Sequence, residues 1–177
     1  MRDVLISAFT ALVFQDAESL ANIIYQYGEE RRSRAVARAI VQGRPWSSTL
    51  PLAECIASKV GKSKSRIHPA TRSFQGLRIA VNDELGELES LLPAAVDRLA
   101  EGGRLAIISF HSLEDRMVKR FLSRATGRAA PRDPWGNPTT PPSLSAANKA
   151  HKPSPEDPNP RASSARLRTA VRLPWNA

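Results

Sequence analysis

Over most of the first hundred positions apolar residues recur every three or four places, and that rhythm gives way once to an unbroken run. From Asp16 onward, Leu20, Ile23, Ile24 and Tyr27 fall at i, i+3, i+4 and i+7, which is one face of a helix. Gly28 is placed to end that helix in a left-handed cap. A second helix over about 30–41 turns Val36, Ala39 and Ile40 inward and sets Arg31, Arg34 and Arg38 along another face, until Gly43 and Pro45 stop it. Ser48 or Thr49 can cap a third, which tolerates Pro51 in its first turn, buries Leu52, Ile56 and Val60, and closes at Gly61. Three short helices with glycine stops make a small helical unit.

After the loop "KSKSRIHP" a fourth helix starts near Pro69-Ala70-Thr71, with Phe74, Leu77, Val81, Leu85 and Leu88 on its apolar face. A proline inside a helix costs about 3 kcal/mol, so Pro93 is expected in the first turn of a new helix that buries Ala95, Val96 and Leu99 up to Gly102-Gly103. The unbroken run "RLAIISF" then reads as a buried strand. Ser112-Leu113-Glu114-Asp115 has the outline of a capping box, and Met117, Val118, Phe121 and Leu122 continue as the inner face of a helix. Arg116, Lys119, Arg120 and Arg124 are left at or near its surface. Helix, strand, helix in this order is an α/β crossover. Nine of the fourteen prolines lie between Pro131 and Pro160, so this stretch is expected to be a loop or flexible linker. The closing "ARLRTAVRL" alternates with the period of a strand, Leu167, Thr169, Val171 and Leu173 on one side and Arg168 and Arg172 on the other.

Charge sharpens this picture. The net charge is +9, which points to a polyanionic partner, nucleic acid first. It is also unevenly spread: 61–80 hold five Lys/Arg and no acid, 81–97 five acids and no base. Any single run of this kind is equally well a solvated helix face. A lone cysteine, Cys55, excludes an intramolecular disulfide and fits a reducing, cytoplasmic setting. No apolar run approaches the roughly 20 residues of a membrane-spanning helix. The opening "MRDVLISAFTALVF" carries Asp3 and shows no small-residue cleavage site, which argues against a secretory leader. His68, His111 and His151 are scattered, so no metal site is expected. No phosphate loop of the G-x-x-x-x-G-K type occurs, and Gly102-Gly103 precede a strand instead of following one. Chemistry concentrates where "RLAIISF" ends, because ligands of α/β sheets bind beyond the carboxyl ends of strands, and Ser109, Phe110 and His111 sit at such an end.

Three stretches, in order, carry a resemblance: "ANIIYQYGEERRSRAVARAIVQGRP"; "HPATRSFQGLRIAVNDELGELESLLPAA" with "GGRLAIISFHSLEDRMVKRFL"; and "KPSPEDPNPRASSARLR". Over roughly Phe14 to Leu173 the chain resembles the MraW/RsmH family, S-adenosylmethionine-dependent methyltransferases that modify the exocyclic N4 of a cytosine in small-subunit (16S) ribosomal RNA. The resemblance implies an α/β fold, a partial Rossmann-like class I methyltransferase domain with an inserted helical domain. Residues 14–75 map to the helical insert and 76–177 to the C-terminal part of the methyltransferase domain, with 127–164 as its Pro-rich loop. Residues 1–13 stay unassigned. Family members begin with a half-domain bearing a glycine-rich cofactor loop, an acidic residue for the ribose and a "DLG-S" strand end. This sequence shows none of these, so no cofactor-binding residue is assigned although S-adenosylmethionine is the family's cofactor. Gly76 stands where the family usually has Ala, and Ser163 where a basic residue is common.

On this map Phe110 and His111 line the pocket for a cytosine lifted from its stack, with Asp115 as an acceptor near its amine. Arg72, Arg116, Lys119, Arg166 and Arg168 contact RNA phosphates. The partner is small-subunit ribosomal RNA or an assembling small subunit, with no membrane and with room for a homodimer. The strand "RLAIISF" is expected to lack a neighbour and keep an exposed edge, and the chain alone to bind cofactor poorly. Three readings stay open: a methyltransferase portion inactive alone, a non-catalytic RNA-binding module, and a degenerate remnant.

Overall fold

The computed structural model describes residues 15–61, 67–145 and 149–174; the unassigned segment 1–13 and most of the basic loop after Gly61 lie outside them. The chain forms two compact units, divided between Glu84 and Leu85.

Among the described residues the first unit has four helices: α1 (Ala17–Gln26), α2 (Ser33–Gln42), α3 (Thr49–Val60) and α4 (Thr71–Asn82). Their inward faces bring Leu20, Ile24, Val36, Ile40, Leu52, Ile56 and Leu77 into one core, each at most 1% exposed. Burying an aliphatic side chain this fully contributes roughly 2 kcal/mol before entropy is counted. Gly28 does something other than cap α1. The left-handed residue is Glu29, φ 51°, and α1 ends on Tyr27 in a right-handed conformation. A Cβ on Gly28 would stand 2.4 Å from the Arg72 carbonyl oxygen and 2.6 Å from that of Ile24, so the glycine is required by close backbone approach. Gly76 answers it from α4, where a Cβ would lie 2.8 Å from the Gly28 nitrogen. The Arg32 guanidinium donates to the Lys59 and Val60 carbonyls and closes the C-terminal end of α3.

The long helix expected after Pro69 is interrupted. Asp83 turns left-handed (φ 47°), a conformation that short polar side chains tolerate, and α5 (Glu84–Arg98) begins directly behind it. The Glu84 carboxylate accepts both arms of the Arg78 guanidinium at 2.7 and 2.9 Å and the Asn82 amide at 3.1 Å, clamping the break. Pro93 lies inside α5, not in a first turn. Leu92 and Val96 hold this stretch in the core, while Pro93 and Glu89, the residue whose carbonyl loses its partner, face solvent. Tertiary burial thus overrides the local penalty.

The second unit pairs β1 (Arg104–Ser109) with β2 (Arg166–Val171) in an antiparallel two-stranded sheet, Leu105 opposite Ala170 and Ser109 opposite Arg166. Helix α6 (Ser112–Ala125) follows β1. Leu92, Val96, Leu105, Val118, Leu122, Leu144 and Ala170 form its core. The Pro-rich stretch is a loop, but not a free linker. Leu144 is 1% exposed and bridges Arg172, and His151 exchanges backbone hydrogen bonds with Leu167, so the loop runs along the outer edge of β2. The other edge of β1 pairs with no strand among the described residues.

One expectation about facing is corrected, and β2 shows which of its two sides is the inner one. The run "RLAIISF" is not buried on both faces, because Ile108 is 58% and Phe110 56% exposed. On β2 the arginine side is the inner one: Ala170 and Arg172 are buried, and Arg172 donates to the Ser143 carbonyl at 2.8 Å. The molecule is mixed α/β, mostly helical.

Candidate functional site

The site is assembled where β1 turns into α6. The strand's last inward residue, Ser109, is buried, and its hydroxyl lies 3.4 Å from the Arg166 carbonyl. Phe110 follows with its side chain out in solvent, and His111 is the N-cap of α6 in extended conformation (φ −136°, ψ 165°).

A capping box is present, one residue earlier than the serine outline suggests. His111 Nδ1 accepts from the Glu114 amide at 3.3 Å, and Glu114 Oε2 accepts from the amides of His111 at 3.2 Å and Phe110 at 2.8 Å. The second imidazole nitrogen lies 3.3 Å from the other Glu114 oxygen, with the His111 side chain 7% exposed. Burial works against a charge on Glu114, but the His111 side chain and the two backbone amides outweigh it, and the carboxyl is held down at about 2. The histidine that sequence placed in a pocket wall is therefore folded onto its own helix.

Asp115, expected as an acceptor for substrate, and Arg168, expected on an RNA phosphate, hold each other. The guanidinium donates from Nε to Oδ1 at 2.8 Å and from Nη2 to Oδ2 at 3.0 Å, a parallel two-bond fork between the first turn of α6 and the middle of β2. Hydrogen bonding from Arg168 lowers the Asp115 carboxyl against the cost of its burial, and the charges of Arg168, Arg166 and Lys119 lower it further. Arg166 and Lys119 thus lie near this pair and leave the strand end cationic. Arg116 is exposed on the side of α6 where a concavity of about 790 Å³ runs past Met117, Arg120 and Arg124. Arg72 is exposed at the second position of α4, in the other unit. The structure therefore gathers Phe110, His111, Asp115, Arg166, Arg168 and Lys119 at one strand end. Arg116 belongs to the adjoining groove, and Arg72 to a separate body. Sequence reasoning left Arg120 and Arg124 out of the site, although their i, i+4, i+8 spacing with Arg116 was the available signal.

These residues do not by themselves fit an adenosyl cofactor. The Phe110 and His111 amides that lead into α6 are held by the Glu114 carboxylate, and the Glu114 amide in its first turn by His111 Nδ1. The positive-φ Gly102 precedes β1 instead of following it.

Residues 3–173 match the model of the MraW methylase family, a span that takes in residues 3–13. The chain is 54% identical over 166 residues to the ribosomal RNA small subunit methyltransferase H of Parvibaculum lavamentivorans, covering 89% of this chain and 49% of that protein. The protein of the same name from Caulobacter vibrioides is 51% identical over 171 residues, 89% of this chain and 54% of its own length. That of Methylorubrum populi is 61% identical over 120 residues, 66% and 34%. The chain spans about half the length of the curated relatives it matches.

Proposed function

The chain belongs to the MraW methylase family, and we propose that it serves S-adenosylmethionine-dependent methylation of the exocyclic N4 of a cytosine in small-subunit ribosomal RNA. The family match along nearly the whole chain carries this reading. Two observations on the molecule support it. The β1 carboxyl end presents an exposed aromatic ring, Phe110, beside a cationic rim formed by Arg166 and Lys119. An exposed ring there is suited to stacking on a base lifted from its helix, and the rim to the flanking phosphates. The His111–Glu114 box and the Asp115–Arg168 fork fix the strand end that carries Phe110, so we assign these four residues to positioning the rim. Arg72, Arg116, Lys119 and Arg166 are the proposed phosphate contacts.

The α5–β1–α6 unit is read as the later part of a Rossmann-like methyltransferase domain, and the four-helix unit as its insert. The cofactor's seat belongs to strands that pair with the open edge of β1, not to the residues described. The setting proposed is cytoplasmic; among the described residues no helix is long and apolar enough to cross a membrane. A non-catalytic RNA-binding role is the second reading, favoured by the Glu114 carboxylate closed over the Phe110 and His111 amides at the strand end.

The deciding assay follows methyl incorporation into small-subunit RNA. It uses the chain alone and the chain mixed with the part of the Parvibaculum relative that it does not match. N4-methylcytosine in the digested RNA of the mixture supports the proposal. Methyl groups found only on another base atom, or only on protein, overturn it. RNA binding without any incorporation selects the second reading.

A further inference from the structure

We propose that the groove beside α6 is a phosphodiester-binding track for single-stranded RNA, in which Arg116, Arg120 and Arg124 each take one phosphate. This deepens the functional reading above and rests on it for the choice of RNA among polyanions. All three arginines are exposed, and all three line the same concavity of about 790 Å³. They stand at i, i+4 and i+8, so they project from one side of the helix about 6 Å apart along its axis. That step is close to the separation of successive phosphates along a nucleic-acid strand.

Like charges at i, i+4 repel and weaken a helix. A purely solvated face is better served by alternating signs, yet here the single acid lining the groove is Glu89. Among the described residues no ion pair engages Arg120 or Arg124. Arg124 also gains from the negative end of the helix dipole, which accounts for one cation but not for the row. Lys119 lines the same groove and lies near Asp115, so it connects the track to the strand end that bears Phe110. Leu113 and Met117 give the groove an apolar floor against which sugars and bases can lie. A strand running along α6 would thus be delivered towards the exposed aromatic ring.

The test uses the full 177-residue chain and a fluorescein-labelled 20-nucleotide oligouridylate, titrated at several salt concentrations. The triple variant Arg116→Gln, Arg120→Gln, Arg124→Gln is expected to bind roughly ten- to hundredfold more weakly near 0.1 M salt. Its slope of log K against log salt should flatten by about 2, as loss of three phosphate contacts to a single strand requires. Removing mutual repulsion does not unfold α6, so the circular dichroism of the variant should equal that of the parent. The Arg→Lys triple should keep most of the affinity. An unchanged slope in the Gln triple overturns the track. So does an equal loss in a control triple in the helical unit, Arg31→Gln just before α2 with Arg34→Gln and Arg38→Gln on it. Binding to phosphatidylserine vesicles with none to RNA also overturns it, in favour of a lipid surface. Because oligouridylate contains no cytosine and the assay no cofactor, these failures leave the methylation reading standing.

Discussion

The helical unit closes its core on itself, while the sheet unit leaves part of its own open. In the first, four helices bury seven large aliphatic side chains to 1% exposure or less, and the backbones of Gly28 and Gly76 meet in near contact. In the second, the inner face of the sheet is covered by α5 and α6 residues, but Ile108 and Phe110 on the other face are more than half exposed. Among the described residues β2 has a neighbour on both edges and β1 on one. An unpaired strand edge flanked by exposed apolar side chains is a surface that natural sheets cover. The chain spans about half the length of the curated relatives it matches, and the free edge of β1 among the described residues is the contrast with the closed helical core.

Substitutions can break this contrast from either side. The largest effect is expected for Gly28→Ala, whose methyl would meet two backbone carbonyls that cannot swing away. A loss of about 3 kcal/mol is expected, read by hydrogen exchange as lost protection across α1 and α4 with the sheet unit unchanged. Gly76→Ala should cost less, about 1 kcal/mol, since better helix propensity offsets part of the crowding against Gly28. In the sheet unit, Asp115→Ala leaves the partly buried Arg168 without its fork and should cost about 2 kcal/mol in thermal unfolding. Adding Arg168→Met should recover part of that, a coupling that independent sites would not show.

Glu114→Gln weakens one capping box and should cost about 1 kcal/mol. The same residue sets an acid dependence. Its folded-state carboxyl is held near 2, below the ordinary 4.5, so its stabilisation is complete above pH 4.5 and is lost as pH falls toward 2. Acid titration of the Gln variant should lack that component. The smallest effect is expected on the open face, where Ile108→Thr should change stability by less than about 0.5 kcal/mol while reducing self-association in sedimentation.

The helices were legible in sequence because each has a strong apolar stripe and polar or glycine punctuation. Local signals misled where tertiary packing decided. Gly28 read as a cap because glycines usually end helices that way, and nothing in a single sequence reveals the α4 backbone lying against it. Pro93 read as a helix start, yet two buried neighbours keep it inside α5. The apolar run of β1 read as buried on both faces, which holds only where a packed layer covers each face of the sheet, and Ile108 and Phe110 have none over them among the described residues. At the site, the acids and the basic residues could be found by composition. That Asp115 pairs with Arg168, 53 positions away, could not.

On the proposed reading the strand end and cations of this chain meet RNA, while the described residues hold no seat for the cofactor. Isothermal titration of S-adenosylmethionine into the full chain tests it most directly. No saturable heat is expected up to about 1 mM ligand; binding at about 1 μM would place a cofactor seat within this chain and overturn that reading.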